Sequence, residues 1–319
     1  MENELMKNRV SEILNTKYPL IQAPLNWLTD AEFVAAVSNA GGLGSFGPNA
    51  GRDSLEQDSM KVMREQIRKA QQLTNRPFAM TIGLNPQGED QTYAHKILDN
   101  SLAENVNYFI IGGEPDEEIY RQIKASGAVL IARSYNPTPA EAQLQEHLGA
   151  DLIVATGYDE GGVIPTKGNG TFTTIPRIVD AVSVPVLAAG GITDVRGVRA
   201  ARALGAEGFY IGSRFIVTKE NRTAENAKVK IISSTVEDMV LVAPQQRSIR
   251  NAKMDELAKR FADGDHDTFA ETRKMGGTRT AMLEGKLEDG KISINTGIDL
   301  IQDQPSVAEL VQRLMQDYQ

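Results

Sequence analysis

Eight short apolar segments recur between residues 18 and 215, and this repetition constrains the fold more than any other feature of the chain. Stretches with helical periodicity separate most of them. Their apolar runs are nearly continuous, as in strands that are covered on both faces. The segments are YPLIQAP, LGSFG, FAMTIG, NYFIIGG, AVLIARS, DLIVATG, VPVLAAGG and GFYIGSRF. Eight such units predict an α/β fold, a (β/α)8 TIM barrel.

A doubly wound parallel sheet is the alternative to the barrel. Such a sheet more often has about five to seven strands and carries one glycine-rich fingerprint after the first of them. Here the first strand ends in QAPLNW, which contains no GxGxxG motif. The barrel is therefore the favoured fold.

The composition of the chain changes near residue 233. Residues 1–232 carry the β/α units, whereas residues 233–319 are rich in charge, are interrupted by glycines and have a composition typical of helices. We therefore predict a cofactor-binding barrel over 1–232. Residues 233–319 are expected to form a helical cap or lid that packs on the barrel mouth and completes the same unit.

The overall composition excludes several classes of protein. The 319 residues are 41% hydrophobic and 24% charged, as in an ordinary globular protein. The absence of cysteine excludes disulfides, zinc–thiolate sites and a cysteine nucleophile. A net charge of −8 argues against nucleic-acid binding, which needs a basic face. The N-terminal MENELMKNRVSEIL lacks the apolar core of a signal peptide, and no apolar run is long enough to span a membrane, so a cytoplasmic protein without membrane association is expected.

The strongest local signal is a pair of glycine-rich strand ends, AAGGI at 188–192 and IGSRF at 211–215. In a barrel they end the seventh and eighth strands, where glycine amides and helix N-termini commonly bind phosphate. Glycine leaves room for an anion to approach the backbone, and Ser213 adds a hydroxyl donor. Tight turns between strand and helix would also explain the glycines. Together the two motifs predict a phosphate site at Ala189, Gly190, Gly191, Gly212 and Ser213.

Charged residues follow the fifth and sixth strands. Arg133 ends the otherwise apolar AVLIARS, where it would meet either an anion or the partner of a salt bridge. Beside a flavin ring, an arginine would stabilise the anionic reduced form. The GYDEGG segment at 157–162 places two carboxylates beside Gly161 and Gly162. These carboxylates could serve as a catalytic pair, as a contact to ribityl hydroxyls, as a helix cap or as part of a solvated turn.

The three histidines are not expected to be catalytic. His95 and His147 fall in predicted outer helices, and His266 lies in the polar GDHDT stretch. The sequence supports no Ser-His-Asp arrangement and no spacing of histidines and carboxylates typical of a metal site. A metal is therefore not expected.

These segments resemble the nitronate monooxygenase family, once called the 2-nitropropane dioxygenases. The resemblance spans about residues 10–250, with a weaker similarity in GIDLIQDQPSVAELV. It rests on YPLIQAP, AVSNAGGLGSFG, NRPFAMTIGLN, VPVLAAGGITDVRGVRAARALGAEGFYIGSRF and RSIRNA. The family also includes an FMN-dependent enoyl-acyl-carrier-protein reductase and an NADH:quinone reductase. The resemblance implies a TIM barrel with FMN at its C-terminal mouth.

The resemblance also implies which residues bind FMN. Gln22, Ala23 and Pro24 would lie along the flavin ring, and the glycine-rich strand ends would hold its phosphate. The full set expected to bind FMN is Gln22, Ala23, Pro24, Thr81, Arg133, Gly161, Gly162, Ala189, Gly190, Gly191, Gly212 and Ser213.

Three positions depart from the family pattern. The family's sixth-strand motif ends in Gly-Gly-His, with a histidine associated with catalysis, whereas this chain has Val163 there. Thr81 stands where the family usually has asparagine, and Arg133 stands where a lysine is often found. Because valine cannot transfer a proton, the sequence assigns no catalytic residue. The nearest substitutes along the chain are Tyr158 and Lys167.

The expected function is that of an FMN-dependent oxidoreductase, which oxidises a nitronate-like small molecule with oxygen as the acceptor. One alternative is a flavin reductase of an enoyl thioester or a quinone, with NAD(P)H as the candidate electron donor. A non-catalytic flavin-binding protein and a flavin-free barrel enzyme, such as a phosphosugar isomerase, are further alternatives. The expected partner is a small-molecule substrate, and a homodimer is the candidate assembly.

Overall fold

A ring of eight parallel strands forms the centre of the molecule. The computed structural model describes residues 8–86 and 88–318. The strands follow the order β1-β8-β7-β6-β5-β4-β3-β2, and a parallel bridge between Ile21 and Leu43 closes the ring. They are β1 Leu20–Gln22, β2 Gly44–Phe46, β3 Phe78–Gly83, β4 Tyr108–Gly112, β5 Val129–Arg133, β6 Leu152–Thr156, β7 Val186–Ala189 and β8 Gly208–Ile211. The predicted (β/α)8 TIM barrel is confirmed.

Both faces of the barrel strands are buried, which explains their continuous apolar runs. On β4, Ile110 belongs to the apolar cluster inside the barrel, together with Ile131 and Val154. Its neighbours Phe109 and Ile111 belong to the larger cluster between strands and helices. Successive side chains of a strand point to opposite faces, so most positions of such a strand are apolar.

Helices surround the ring and mostly begin at capping side chains. The described helices are α1 Arg9–Leu14, α2 Ala31–Asn39, α3 Ser59–Leu73, α4 Thr92–Ala103, α5 Glu117–Ala125, α6 Pro139–His147, α7 Thr171–Val179, α8 Val195–Ala203, α9 Ser213–Ile216, α10 Glu225–Ile232, α11 Ala252–Ala262, α12 Thr268–Lys274 and α13 Val307–Leu314. The Asp30 carboxylate caps α2 by accepting a hydrogen bond from the Phe33 amide. Asp58 caps α3 by accepting hydrogen bonds from the Met60 and Lys61 amides, and Ser59 begins the helix.

The cap, residues 233–318 of the described chain, contains a β-hairpin that the sequence analysis did not predict. Strands β9 Met239–Ala243 and β10 Gln246–Ile249 pair antiparallel. The helical expectation is confirmed for α11, α12 and α13 but is wrong for this stretch. The run MVLVA is apolar and rich in valine, which favours a strand. Because charged residues surround this run, the overall composition of the cap did not indicate a strand.

The cap shares its apolar core with the barrel wall. Ile249, Met282, Ile292 and Ile294 are buried in the same cluster as the barrel's outer face. Helix α13 packs against α2 and α8. The cap therefore packs on the outer layer of the barrel and shares its core. Among the described residues, no helix has the length and apolar character needed to cross a bilayer.

Candidate functional site

A cavity of about 390 Å³ lies at the carboxyl ends of the barrel strands. Its size is within the range of small-molecule sites. Residues from the ends of β3, β4, β5, β7 and β8 line it, and the loops after β1, β2 and β6 complete the wall. The cap contributes Gln246, Phe269, Arg273, Thr278, Met282, Lys291, Ser293 and Asn295. The cavity thus occupies the place where barrel enzymes carry their active sites.

The structure brings nearly all of the predicted FMN-binding residues into this cavity. Those that line it are Ala23, Pro24, Thr81, Arg133, Gly161, Gly162, Ala189, Gly190, Gly191, Gly212 and Ser213. They are distant in sequence, and only the closure of the barrel places them around one space.

Gln22 is the predicted residue that does not line the cavity. Its side chain is fully buried, and its Oε1 accepts a hydrogen bond of 3.0 Å from the Ser45 amide. Along β1, Ile21 and Ala23 belong to the interior cluster, whereas Leu20 packs in the outer one. The alternation of the strand therefore turns Gln22 away from the interior, and its amide joins β1 to β2.

The glycines after β7 occupy positions where a side chain would be strained or crowded, and Gly212 begins the segment after β8. Gly190 and Gly191 have φ of +103° and +71°, which favour glycine. A Cβ on Gly190 would lie 2.7 Å from Thr171 Oγ1. Gly212 precedes the short helix α9, whose first residue, Ser213, accepts a hydrogen bond of 3.0 Å from the Asn295 amide. The strand ends are thus held in place, and their amides are bare of side chains.

Three hydroxyl groups of the lining have no hydrogen-bond partner among the described residues. They are Thr81 Oγ1, Tyr210 OH and Ser293 Oγ, and all three atoms are buried. Burying an unpartnered hydroxyl costs about 1–3 kcal/mol. A ligand with polar edges would satisfy these groups, so the cavity has the polarity of a binding site.

Arg133 and Glu160 form a buried ion pair in the cavity wall. Their side chains are 9% and 12% exposed, and Arg133 Nη2 donates to Glu160 Oε1. The same nitrogen donates to the Val163 carbonyl oxygen at 3.2 Å, and the guanidinium stacks over the Tyr135 ring. Burial raises the pKa of Glu160, and the charge of Arg133 lowers it only in part. The salt bridge left open by the sequence is present, and it lies at the cavity.

The second carboxylate of GYDEGG has a structural role. Asp159 Oδ2 accepts a hydrogen bond of 2.7 Å from the Thr171 amide, and the Asp159 carbonyl oxygen accepts one of 3.0 Å from the Thr296 amide. Asp159 therefore ties the loop after β6 to α7 and to the cap. Glu160 lines the cavity and Asp159 does not, so the two carboxylates do not form a catalytic pair.

No imidazole lines the cavity among the described residues, and Val163 occupies the wall after β6. His147 and His266 are exposed, and none of the three histidines reaches the site. Neither of the two proposed substitutes lines the cavity. The Tyr158 ring lies beneath the Arg247 guanidinium, 4.8 Å away, and Lys167 is exposed.

Sequence reasoning missed the part of the site that comes from the cap. In the stretch KISIN, Lys291, Ser293 and Asn295 line the cavity, whereas Ile292 and Ile294 are 2% and 0% exposed. Polar and apolar residues alternate strictly, as in a half-buried extended segment. This alternation is the sequence feature that could have indicated the segment. Which part of the molecule the segment faces depends on contacts distant in sequence.

Two neighbouring glycines of the lining give a direct test of this packing. A Cβ on Gly161 would lie 2.3 Å from the Ile294 carbonyl carbon and 2.5 Å from the Asn295 amide nitrogen. A Cβ on Gly162 would meet nothing within 4 Å, and neither glycine has a positive φ. We expect Gly161→Ala to lower the free energy of unfolding by about 1–3 kcal/mol. Urea denaturation of the cofactor-free protein measures it.

The matched control is Gly162→Ala, for which we expect a change within about 0.5 kcal/mol. Equal effects of the two substitutions would contradict the close packing of residues 294 and 295 on the loop after β6.

Comparisons with known proteins identify the family of the chain. The family model for nitronate monooxygenase matches residues 7–110 and 87–317. A probable nitronate monooxygenase of Bacillus subtilis is 30% identical over 357 aligned positions, which cover 99% of each chain. Another, of Staphylococcus haemolyticus, is 31% identical over 308 positions and covers 84% of this chain and 80% of its own.

Solved structures extend the comparison. FabK from Thermotoga maritima superposes with a TM-score of 0.86 at 27% identity, over 98% of this chain and 96% of its own. A nitroalkane oxidase from Streptomyces ansochromogenes shares the fold, with a TM-score of 0.78 at 22% identity over 97% of both chains. The chain therefore belongs to the nitronate monooxygenase family of oxidoreductases.

Proposed function

We propose that this protein is an FMN-dependent oxidoreductase that oxidises a nitronate-like small molecule with oxygen as the acceptor. Membership of the family implies a flavin. The observation that carries the proposal is the cavity at the barrel mouth, whose lining joins bare glycine amides to unpartnered buried hydroxyls. Such a lining suits a ligand with a phosphate at one end and a polar ring at the other.

The residues present fit FMN. Gly190, Gly191, Gly212 and Ser213 would hold the phosphate, because their amides and hydroxyl meet at the ends of β7 and β8. The unpartnered hydroxyls of the lining would pair with polar atoms of the ring. Ala23 and Pro24 would lie along the ring. Because Gln22 is bonded to Ser45, it would act by holding β1 and β2 together.

When bound, FMN would supply the acceptor for the substrate's electrons and then pass them to oxygen. The chain supplies position and electrostatics. Glu160 holds Arg133 in the wall, where its fixed charge stabilises negative charge that develops in the cavity. Ile110, Val163 and Ile192 add apolar surface that excludes water. With valine at position 163 the loop has no imidazole in the cavity, and its carboxylate there, Glu160, is held by Arg133 and is not free to remove a proton from a neutral substrate.

This arrangement favours nitronates, which are already deprotonated, over neutral nitroalkanes. We expect oxygen uptake with ethyl nitronate to exceed that with nitroethane at neutral pH by about 10²-fold or more, the usual contribution of a missing general base. Equal rates with the two compounds would contradict the proposal. Both assays use the flavin-loaded protein.

The similarity to FabK favours one second candidate, an NAD(P)H-dependent flavin reductase. Anaerobic mixing of the flavin-loaded protein with NADH or NADPH distinguishes the two. Fast bleaching of the flavin band without any nitro compound would support the reductase. Absence of bleaching, together with bleaching by ethyl nitronate, would support the nitronate oxidation.

A further inference from the structure

The cap places a buried lysine in the cavity wall. The Lys291 residue is 9% exposed and lines the cavity. Among residues 8–86 and 88–318, its ammonium has no carboxylate partner, and burial lowers its pKa to about 8. A buried ammonium without a partner is costly, so such a group is typically found where a ligand or an ion compensates its charge.

The backbone fixes Lys291 at the cap side of the cavity. Its amide donates to the Gly277 carbonyl oxygen at 3.1 Å, and the next amide, that of Ile292, donates to Ser248 Oγ at 3.0 Å. Four residues later, Asn295 is bonded to Ser213 beside the glycine-rich strand ends. The segment thus runs from the cap to the proposed phosphate site. Lys291 lies at the end of the segment that belongs to the cap.

The charges of the lining leave Lys291 uncompensated. The titratable groups that face the cavity with it are Arg133, Tyr135, Glu160, Tyr210 and Arg273. The Glu160 carboxylate is already paired with Arg133. Burial raises the pKa of both tyrosines, so their phenols stay neutral. A chain with a net charge of −8 therefore has a cationic cavity.

We infer that Lys291 determines specificity for an anionic substrate: its ammonium binds the planar, charged oxygen head of the nitronate from the cap side. This inference rests on the proposed function and assigns to it a residue and a reason for its selectivity. The ammonium attracts the anion and offers it hydrogen bonds, whereas a neutral nitro compound gains little from the same contact.

The test uses the flavin-loaded protein and two small probes of equal heavy-atom number. Nitrate is a planar anion, and nitromethane is its neutral counterpart. Binding is followed by the perturbation of the visible flavin bands. At about pH 6.5, we expect nitrate to bind about tenfold or more tightly than nitromethane.

Two variants and one control test the contribution of the Lys291 ammonium to nitrate binding. Lys291→Met should weaken nitrate binding about tenfold or more, a loss of one buried charge contact. Lys291→Arg should bind nitrate about as tightly as the wild type. Lys286→Met is the control, because Lys286 is 61% exposed, pairs with Glu284 and does not line the cavity, so nitrate should bind to this variant as to the wild type.

The pH dependence keeps the inference testable if Lys291→Met fails to fold. In the wild type, nitrate affinity should fall about tenfold or more between pH 6.5 and 9.5, as the ammonium loses its proton. In Lys291→Arg the affinity should stay level, because arginine remains charged. The same decline in both proteins would overturn the inference.

The remaining outcomes separate the inference from the proposed function. A yellow protein that binds nitrate equally well with methionine at 291 overturns the inference alone. Loss of FMN from Lys291→Met, with nitrate affinity unchanged after reloading, assigns Lys291 to the cofactor and also overturns it. A colourless wild-type protein that binds no FMN overturns both proposals.

Discussion

Replacing Val163 with histidine is expected to raise the rate of nitroethane oxidation by about 10²–10⁴-fold, the usual contribution of a general base. Val163 lines the cavity, and its carbonyl oxygen accepts a hydrogen bond from the buried Arg133. The backbone at this position is therefore fixed, and an imidazole placed there would face the substrate space. The rate with ethyl nitronate should change by less than about threefold, since that anion has no proton to lose.

The pH profile identifies the imidazole as the base. Activity of Val163→His toward nitroethane should rise as pH increases through about 6.5, where histidine becomes neutral. Val163→Leu is the matched control, which changes the shape of the wall without adding a base. An unchanged nitroethane rate in a variant that still oxidises nitronate would mean that residue 163 lies away from the reacting atom. If the native protein turned nothing over and the histidine variant did, the non-catalytic alternative would be favoured.

Replacing Arg133 with methionine is expected to lower the free energy of unfolding by about 3–5 kcal/mol, the usual cost of breaking a buried ion pair. The substitution leaves the Glu160 carboxylate buried without its partner, in a side chain that is 12% exposed. The double variant Arg133→Met/Glu160→Gln removes both charges, so most of the stability should return. Urea denaturation of the cofactor-free proteins measures the free energy of unfolding of the single and the double variant. A double variant no more stable than Arg133→Met would contradict the pairing.

The loss of stability caused by Arg133→Met should depend on pH in a defined direction. Burial raises the pKa of Glu160 in the folded protein, so ionised Glu160 opposes folding once Arg133 is gone. Below the pKa of an unfolded glutamate, about 4.3, the carboxyl is neutral in both states and carries no penalty. The destabilisation of Arg133→Met should therefore shrink as pH falls toward that value. A penalty that grew on acidification would contradict this account.

The barrel could be predicted from the sequence because its signals are local. Each strand is marked by a continuous apolar run in the sequence. Residues such as Asp30 cap the helix that follows through local hydrogen bonds, which do not depend on distant contacts. The glycine-rich strand ends could also be predicted from the sequence, because a left-handed φ such as that of Gly190 favours glycine whatever lies around it.

The rest of the site depends on contacts between distant segments. The direction of the Gln22 side chain follows from its bond to Ser45 on the neighbouring strand. Glu160 and Asp159 are adjacent in sequence, yet one lines the cavity and the other binds α7 and the cap. Lys291 reaches the cavity only because the cap folds back over the barrel mouth. Periodicity could show that the side chains of its segment point alternately to two faces, but it could not show what each face contacts.

The flavin content of the purified protein shows directly whether the cavity holds FMN. Flavin released by heat is identified by mass and quantified by absorbance against the protein concentration. We expect a yellow protein with about one FMN per chain. We also expect Gly212→Val to be colourless but folded, because φ at Gly212 is −110° and its Cβ would meet Ala23 at an ordinary 3.4 Å while the side chain fills the cavity. A colourless wild-type protein that binds no added FMN would show that the cavity is not an FMN site.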